Sequence, residues 1–184
     1  AHTPLTGSGF RQAEAMGAGL HRYLGEWSGS LDLVASATGR ALQTLALVAE
    51  QIGRDWHGAV TDARLNEIGV GSWGGLYYRD IVAAGPVIHA EHRLFQSLPA
   101  DAESYADIAV RVRAWLADQA FQHDMLIVSH GMTSRVLRGA LRDLPDLEGF
   151  DAPIAAGLPQ GSMVMIQDGV EEVIFRGSGE GEKG

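Results

Sequence analysis

Leu31-Asp32-Leu33-Val34-Ala35-Ser36-Ala37-Thr38-Gly39-Arg40 and Met125-Leu126-Ile127-Val128-Ser129-His130-Gly131 are the two stretches on which the fold turns. Each starts as a short apolar run and stops at small or polar residues. Helical spacing follows both, from Arg40 to Ile52 in the first and through Val136, Leu137, Ala140 and Leu141 in the second. Met125 to Val128 has no polar member, as expected of a strand covered on both faces of a parallel sheet. Two strand–turn–helix units of this kind predict an α/β architecture in which helices cover a mostly parallel sheet. Ligands in such sheets sit beyond the carboxyl ends of the strands, which nominates the turns Ser36–Arg40 and Ser129–Gly131.

Around these units the remaining elements fall into place. Pro4-Leu5-Thr6 leads into a helix running to about Leu24, with Thr6 or Ser8 as N-cap. Asp62 to Leu76, with Gly69, Gly71, Gly74 and Gly75, reads as a surface loop. From Ser104 the positions Tyr105, Ile108, Val112 and Leu116 recur at helical spacing, and Ser104 with Asp107 forms a capping-box pattern. Ser162–Gln167 and Val170–Phe175 flank Asp168-Gly169, a strong hairpin signal. The 184 residues suit one domain, expected over 1–176, with 177–184 as a flexible tail rich in Gly, Glu and Ser.

Composition removes several functional classes. The chain has no cysteine, which excludes disulfides, zinc–thiolate centres and thiol nucleophiles. A formal charge of −9 argues against general nucleic-acid binding, because affinity for a phosphate backbone needs clustered Lys and Arg. No apolar stretch is long enough to cross a bilayer, so no membrane partner is expected and the cytosol is the default compartment. A small anion can still bind where a few arginines converge in a cleft. Both nominated turns carry a cation at the start of a helix, Arg40 and His130, where a guanidinium fork and free backbone N–H groups suit phosphoryl oxygens.

Ser36-Ala37-Thr38-Gly39-Arg40-Ala41-Leu42-Gln43-Thr44 resembles the S-x-x-x-R-A-x-Q-T element of the histidine phosphatase superfamily, the phosphoglycerate mutase-like fold, and Val128-Ser129-His130-Gly131 resembles its second-histidine motif. Leu65-Asn66-Glu67-Ile68 through Gly71-Ser72-Trp73-Gly74-Gly75, Pro4-Leu5-Thr6 with Gln12-Ala13, and Glu103-Ser104 with Arg111 are similar to further elements of the family, in the same order. The resemblance implies a three-layer α/β/α sandwich and catalysis without cofactor or metal on a small phosphorylated substrate, with inorganic phosphate as product. Arg40, His130 and Gly131 would bind the phosphoryl group, and His130 would also stabilise transition-state charge. Glu67 would protonate the leaving oxygen and then take a proton from water, which requires its pKa to be raised toward neutrality.

The family's nucleophile is a histidine in an Arg-His-Gly motif at the end of the first strand, expected ahead of Pro4. The chain is therefore expected to lack that histidine, one phosphate-binding arginine and a central strand, leaving two unpaired edges and a slot in the core. His57 precedes Gly58 but follows Trp56 at the amino end of a possible strand, and His2 lies in the leading turn, so neither takes the role. The compact stretch between Glu67 and His130 favours a phosphatase; mutase-type phosphoryl transfer and a non-catalytic phospholigand-binding role are the alternatives, and a homodimer stays open.

Other patterns carry less. Gly69-x-Gly71-x-x-Gly74 fits a dinucleotide fingerprint without the preceding buried strand. His89 and His92 lie three apart without a clear carboxylate partner for a metal. Trp73, Tyr77 and Tyr78 are candidates for the pocket mouth, and Arg93, Arg135 and Arg138 for a second anion contact, although packing or surface placement is the ordinary fate of such residues.

Overall fold

A computed structural model describes residues 3–76, 80–81, 88–89 and 91–179. Helix α1 (Gly7–Leu24) is capped by Thr6, whose hydroxyl accepts from Gly9 N–H at 3.2 Å, while the other candidate, Ser8, bonds to the Thr6 hydroxyl. The helix stops at Gly25, where φ of 56° suits a residue without a Cβ. Strand β1 (Leu31–Ser36) then leads into α2 (Gly39–Gln51). A short strand, β2 (Val60–Asp62), helix α3 (Tyr105–Ala117), strand β3 (Asp124–Val128), helix α4 (Gly131–Leu141) and the hairpin β4 (Met163–Gln167) and β5 (Val170–Phe175) complete the order.

The strands β2-β1-β3 form a parallel sheet, with Leu31 opposite Asp124 and Ala35 opposite Val128. The period-2 geometry of β1 divides the core. Leu33 and Ala35 face Ala41, Leu45 and Ala49 of α2, whereas Val34 faces Ile108, Val112 and Val136 of α3 and α4. Helices thus cover both faces, as the α/β/α reading expects. Full burial of a side chain such as Leu45 stabilises by roughly 1.5–3 kcal/mol, which is why this face specifies its helix.

The hairpin is antiparallel, and its turn residues Asp168 and Gly169 both have positive φ, 51° and 76°. It packs on α1 and α2 through Leu20, Val48 and Met163, and Phe175 lies against Gly19 of α1. Among the described residues no ladder joins it to the three-stranded sheet. Between the β3 and β4 edges runs a cavity of about 1550 Å³ lined by every residue of both strands.

Two expectations change in detail. The segment 62–76 is not merely a surface loop. Leu65 is 0% and Ile68 5% exposed, because the 3₁₀ turn Ala63–Leu65 turns these apolar residues into the α3–α4 core. The expected tail begins with residues that are tied down, since Gly177 N–H donates to Ser162 Oγ and Gly179 N–H to the Gln160 carbonyl. The remaining tail residues, 180–184, lie outside the described residues. Among the described residues no helix is long and apolar enough to cross a membrane.

Candidate functional site

Strand β1 ends in Ser36, which is fully buried, and β3 ends just before Ser129 and His130. Because the two strands are parallel neighbours in register, their carboxyl ends lie side by side, and residues 94 positions apart meet: Ser36 Oγ is 2.7 Å from His130 Nε2. Thr38 Oγ1 stands 3.2 Å from the same nitrogen and 3.0 Å from Ser36 Oγ, so this N-cap residue of α2 turns its hydroxyl to the imidazole and makes no side-chain cap. Arg40, in the first turn of α2, reaches across to place Nη2 3.3 Å from His130 Nδ1. Arg40 and His130, nominated separately from the sequence, thus share one place.

Glu67 arrives from the loop after β2. Its Oε1 accepts from the N–H groups of Ile68 at 3.0 Å and of Met132 and Thr133 at 3.1 Å each; Oε2 has a single 3.3 Å contact, with Met132 N–H. The free N–H groups that open α4 are therefore used on the Glu67 carboxylate, where the sequence suggested an external anion. Gly131 is close enough that an added Cβ would stand 3.4 Å from Glu67 Oε2. Arg40, Glu67, His130 and Gly131 all line the cavity described above.

The Glu67 loop is tied from three sides. Asn66 Oδ1 accepts from Ala37 N–H at 2.9 Å, and its carbonyl accepts from Thr133 Oγ1 at 2.7 Å. Ser129 Oγ donates to the Leu65 carbonyl at 2.7 Å. From α3, Arg111 donates to the Arg64 carbonyl, to Thr133 Oγ1 and, through two guanidinium nitrogens, to Glu103. Glu103 in turn accepts from Gly69 N–H at 3.0 Å, and its own N–H donates to the Gly69 carbonyl at 2.7 Å. Ser72 Oγ closes the same neck on Asp101 at 3.1 Å. At the other side Gln43 Oε1 accepts from Leu5 N–H at 2.9 Å, docking the leading segment on α2.

Electrostatics favour a neutral His130. Burial pushes its pKa below the ordinary 6.5; the Glu67 carboxylate works against that shift, while Arg40 and Arg111 reinforce it.

The remaining candidates fall elsewhere or are engaged. His57 stacks on Trp56 at 4.4 Å and pairs with Asp55, with 76% of its side chain exposed. His89 and His92 stack on each other at 5.0 Å, with Phe150 edge-on to both. Arg135 holds the Ala155 and His92 carbonyls, and Arg138 forms a bidentate pair with Glu171, so both guanidinium groups are committed. Arg93 lines the cavity. Trp73 packs edge-on against Phe95 at 6.0 Å, whereas Tyr77 and Tyr78 lie outside the described residues. Gly71, at φ 53°, sits against Asp101 in a 3₁₀ turn, not at the opening of an α-helix. Sequence reasoning gave Ser36, Asn66 and Thr133 no role; the signal that singles out Ser36 is its place as the last, polar residue of an otherwise buried strand end.

Comparison with known proteins gives the family. The histidine phosphatase superfamily (branch 1) profile matches residues 1–167. A 2,3-bisphosphoglycerate-dependent phosphoglycerate mutase of Methylobacterium radiotolerans is 30% identical over 162 residues, covering 84% of this chain and 75% of the mutase. Mycobacterial glucosyl-3-phosphoglycerate phosphatase in complex with inorganic phosphate superposes with a TM-score of 0.60 at 25% identity, over 78% of this chain and 72% of that one. The alpha-ribazole phosphatase of Shigella flexneri shares the fold with a TM-score of 0.64 at 23% identity, over 97% of this chain and 87% of its own. With the profile spanning most of its length and the motif residues gathered around one cavity, the chain belongs to the histidine phosphatase superfamily.

Proposed function

We propose that this chain supplies the phosphoryl-binding and acid–base residues of a metal-independent phosphatase acting on small phosphomonoesters through a phosphohistidine, in the cytosol. The observation that carries the reading is the meeting of Arg40, His130 and Glu67 at the carboxyl ends of β1 and β3. An Arg fork matches two phosphoryl oxygens, and an imidazole beside it adds a hydrogen bond as negative charge builds in the transition state. Glu67 Oε1 is held by backbone donors, so Oε2 is the oxygen that gives a proton to the leaving group and takes one from the attacking water. The phosphatase names of the mycobacterial and Shigella structures support this class of chemistry.

Both ring nitrogens of His130 are occupied, by Ser36 and Arg40, which suits a stabilising role better than attack. The nucleophilic imidazole in this reading is a histidine other than His130. The test is phosphate release from p-nitrophenyl phosphate in EDTA, with label trapping after brief exposure to labelled substrate. EDTA-resistant release, label on a histidine other than His130, and a loss of about 10²–10³-fold in Arg40→Ala are expected. Release that requires a metal overturns the reading.

The mutase relative favours a second reading, transfer of the phosphoryl group to an acceptor hydroxyl in place of water. Bound phosphate without trapped label would instead indicate a non-catalytic phospholigand-binding member.

A further inference from the structure

A guanidinium has donors only, so the contact between Arg40 Nη2 and His130 Nδ1 at 3.3 Å requires Nδ1 to be the acceptor. The ring proton is then on Nε2, the nitrogen that meets Ser36 Oγ at 2.7 Å and Thr38 Oγ1 at 3.2 Å. Both hydroxyls can accept it. Ser36 is 0% exposed at the end of a paired strand, so its oxygen cannot drift away, and Thr38 Oγ1 at 3.0 Å fixes it further. Nδ1 is left on the side where Arg40 enters the cavity.

We propose that Ser36 is a positioning residue that holds His130 as the neutral Nε2–H tautomer, so that a tetrahedral oxyanion arriving between Arg40 and His130 binds with uptake of one proton on Nδ1. This rests on the reading of the cavity as a phosphoryl site. An anion there draws the Arg40 fork onto its oxygens and leaves Nδ1 facing negative charge as a bare acceptor. A proton from solvent converts that repulsion into a charge-assisted hydrogen bond. The charged groups facing the ring are Arg40 from α2, Arg111 from α3 and Glu67 from the loop after β2. The two arginines and burial oppose protonation in the free protein; the incoming anion reverses the balance. Anion affinity is therefore set by pH through His130, and Ser36 decides which nitrogen takes the proton.

The experiment is ¹⁵N NMR of the histidine ring nitrogens in this chain at pH 7.5, followed by calorimetric titration with sulfate in two buffers of different ionisation enthalpy. Sulfate has no titrating proton in this range, so any proton taken up belongs to the protein. The expected results are a protonated Nε2 and a bare Nδ1 for free His130, uptake approaching one proton per sulfate, and affinity falling about tenfold per pH unit above neutrality. Ser36→Ala combined with Thr38→Val should mix the tautomers, and Ser36→Thr should retain the Nε2–H form. A protonated Nδ1 in the free wild-type protein overturns the proposal while leaving the phosphoryl reading intact if sulfate still binds. The Nε2–H tautomer with no binding of sulfate or inorganic phosphate overturns the phosphoryl reading, and proton-linked binding with it.

Discussion

The two walls of the cavity are built on different principles. The wall carrying Arg40, Glu67 and His130 is fixed by backbone-directed hydrogen bonds: a parallel ladder between β1 and β3, carboxylate contacts to the start of α4, and the Asn66 and Ser129 ties. The hairpin wall has no ladder to the sheet among the described residues and is held by side chains, chiefly Phe175 against α1 and the Arg138–Glu171 pair against α4. Backbone ties set position to within the tolerance of a hydrogen bond, whereas a side-chain clamp sets only separation. Chemistry that needs a group placed to a fraction of an ångström belongs on the first wall.

Breaking the clamp gives the largest expected effect. Arg138 and Glu171 are 10% and 12% exposed, and the pair is bidentate at 2.8 and 2.7 Å, with Arg142 nearby at 3.8 Å. Glu171→Ala leaves two arginines without their carboxylate and should lower stability by about 3–5 kcal/mol in urea unfolding, whereas Arg138→Met with Glu171→Leu should recover much of that loss. Equal destabilisation by the single and double variants would mean that the ion pair is not what holds the hairpin.

The backbone-tied wall responds less to a single change because several contacts share the load. Arg111→Ala removes charge-assisted bonds to Glu103 and should cost about 1.5–3 kcal/mol. The Asn66 and Thr133 contacts persist, so phosphate binding in the folded variant should survive. Complete loss of binding in a folded Arg111→Ala protein would mean that the Glu67 loop hangs on this one guanidinium.

The smallest effect is a pH slope. With His130 depressed below 6.5 in the folded state, the unfolded chain binds the proton more readily. The stability contributed by the neutral ring is then fully present above about 6.5 and lost as pH falls through the depressed folded value, with a slope of at most about 1.4 kcal/mol per pH unit. Unfolding free energies just below pH 6.5 should show this limb in the wild type and not in His130→Gln.

The same contrast explains what could be read from the chain alone. Local chemistry announced the elements of both walls: apolar runs ending at Ser36 and Ser129 and the capping box that Ser104 and Asp107 do form for the first, and the Asp168-Gly169 turn for the hairpin. Resemblance to a known family supplied the roles proposed for Arg40, Glu67 and His130. Long-range pairing left no local trace. Arg138 reads as an exposed helix arginine until Glu171, 33 residues later, is placed beside it. Leu65 and Ile68 sit in a glycine-rich stretch whose composition suggests a loop, and only packing against α3 reveals them as core. Helix α4 looked open to a ligand because nothing in the spacing says that Glu67 folds back onto its first amides.

The neck at Gly69–Glu103 and Ser72–Asp101 makes the intervening stretch a cassette whose two ends are clipped together beside the Glu67 loop. Closure cost grows only slowly with length, each doubling adding about 0.6 kcal/mol, but Leu94 is 0% exposed in the core packed around α3 and α4 and Arg135 holds the His92 carbonyl, so changes of length are tolerated away from these anchors and not at them.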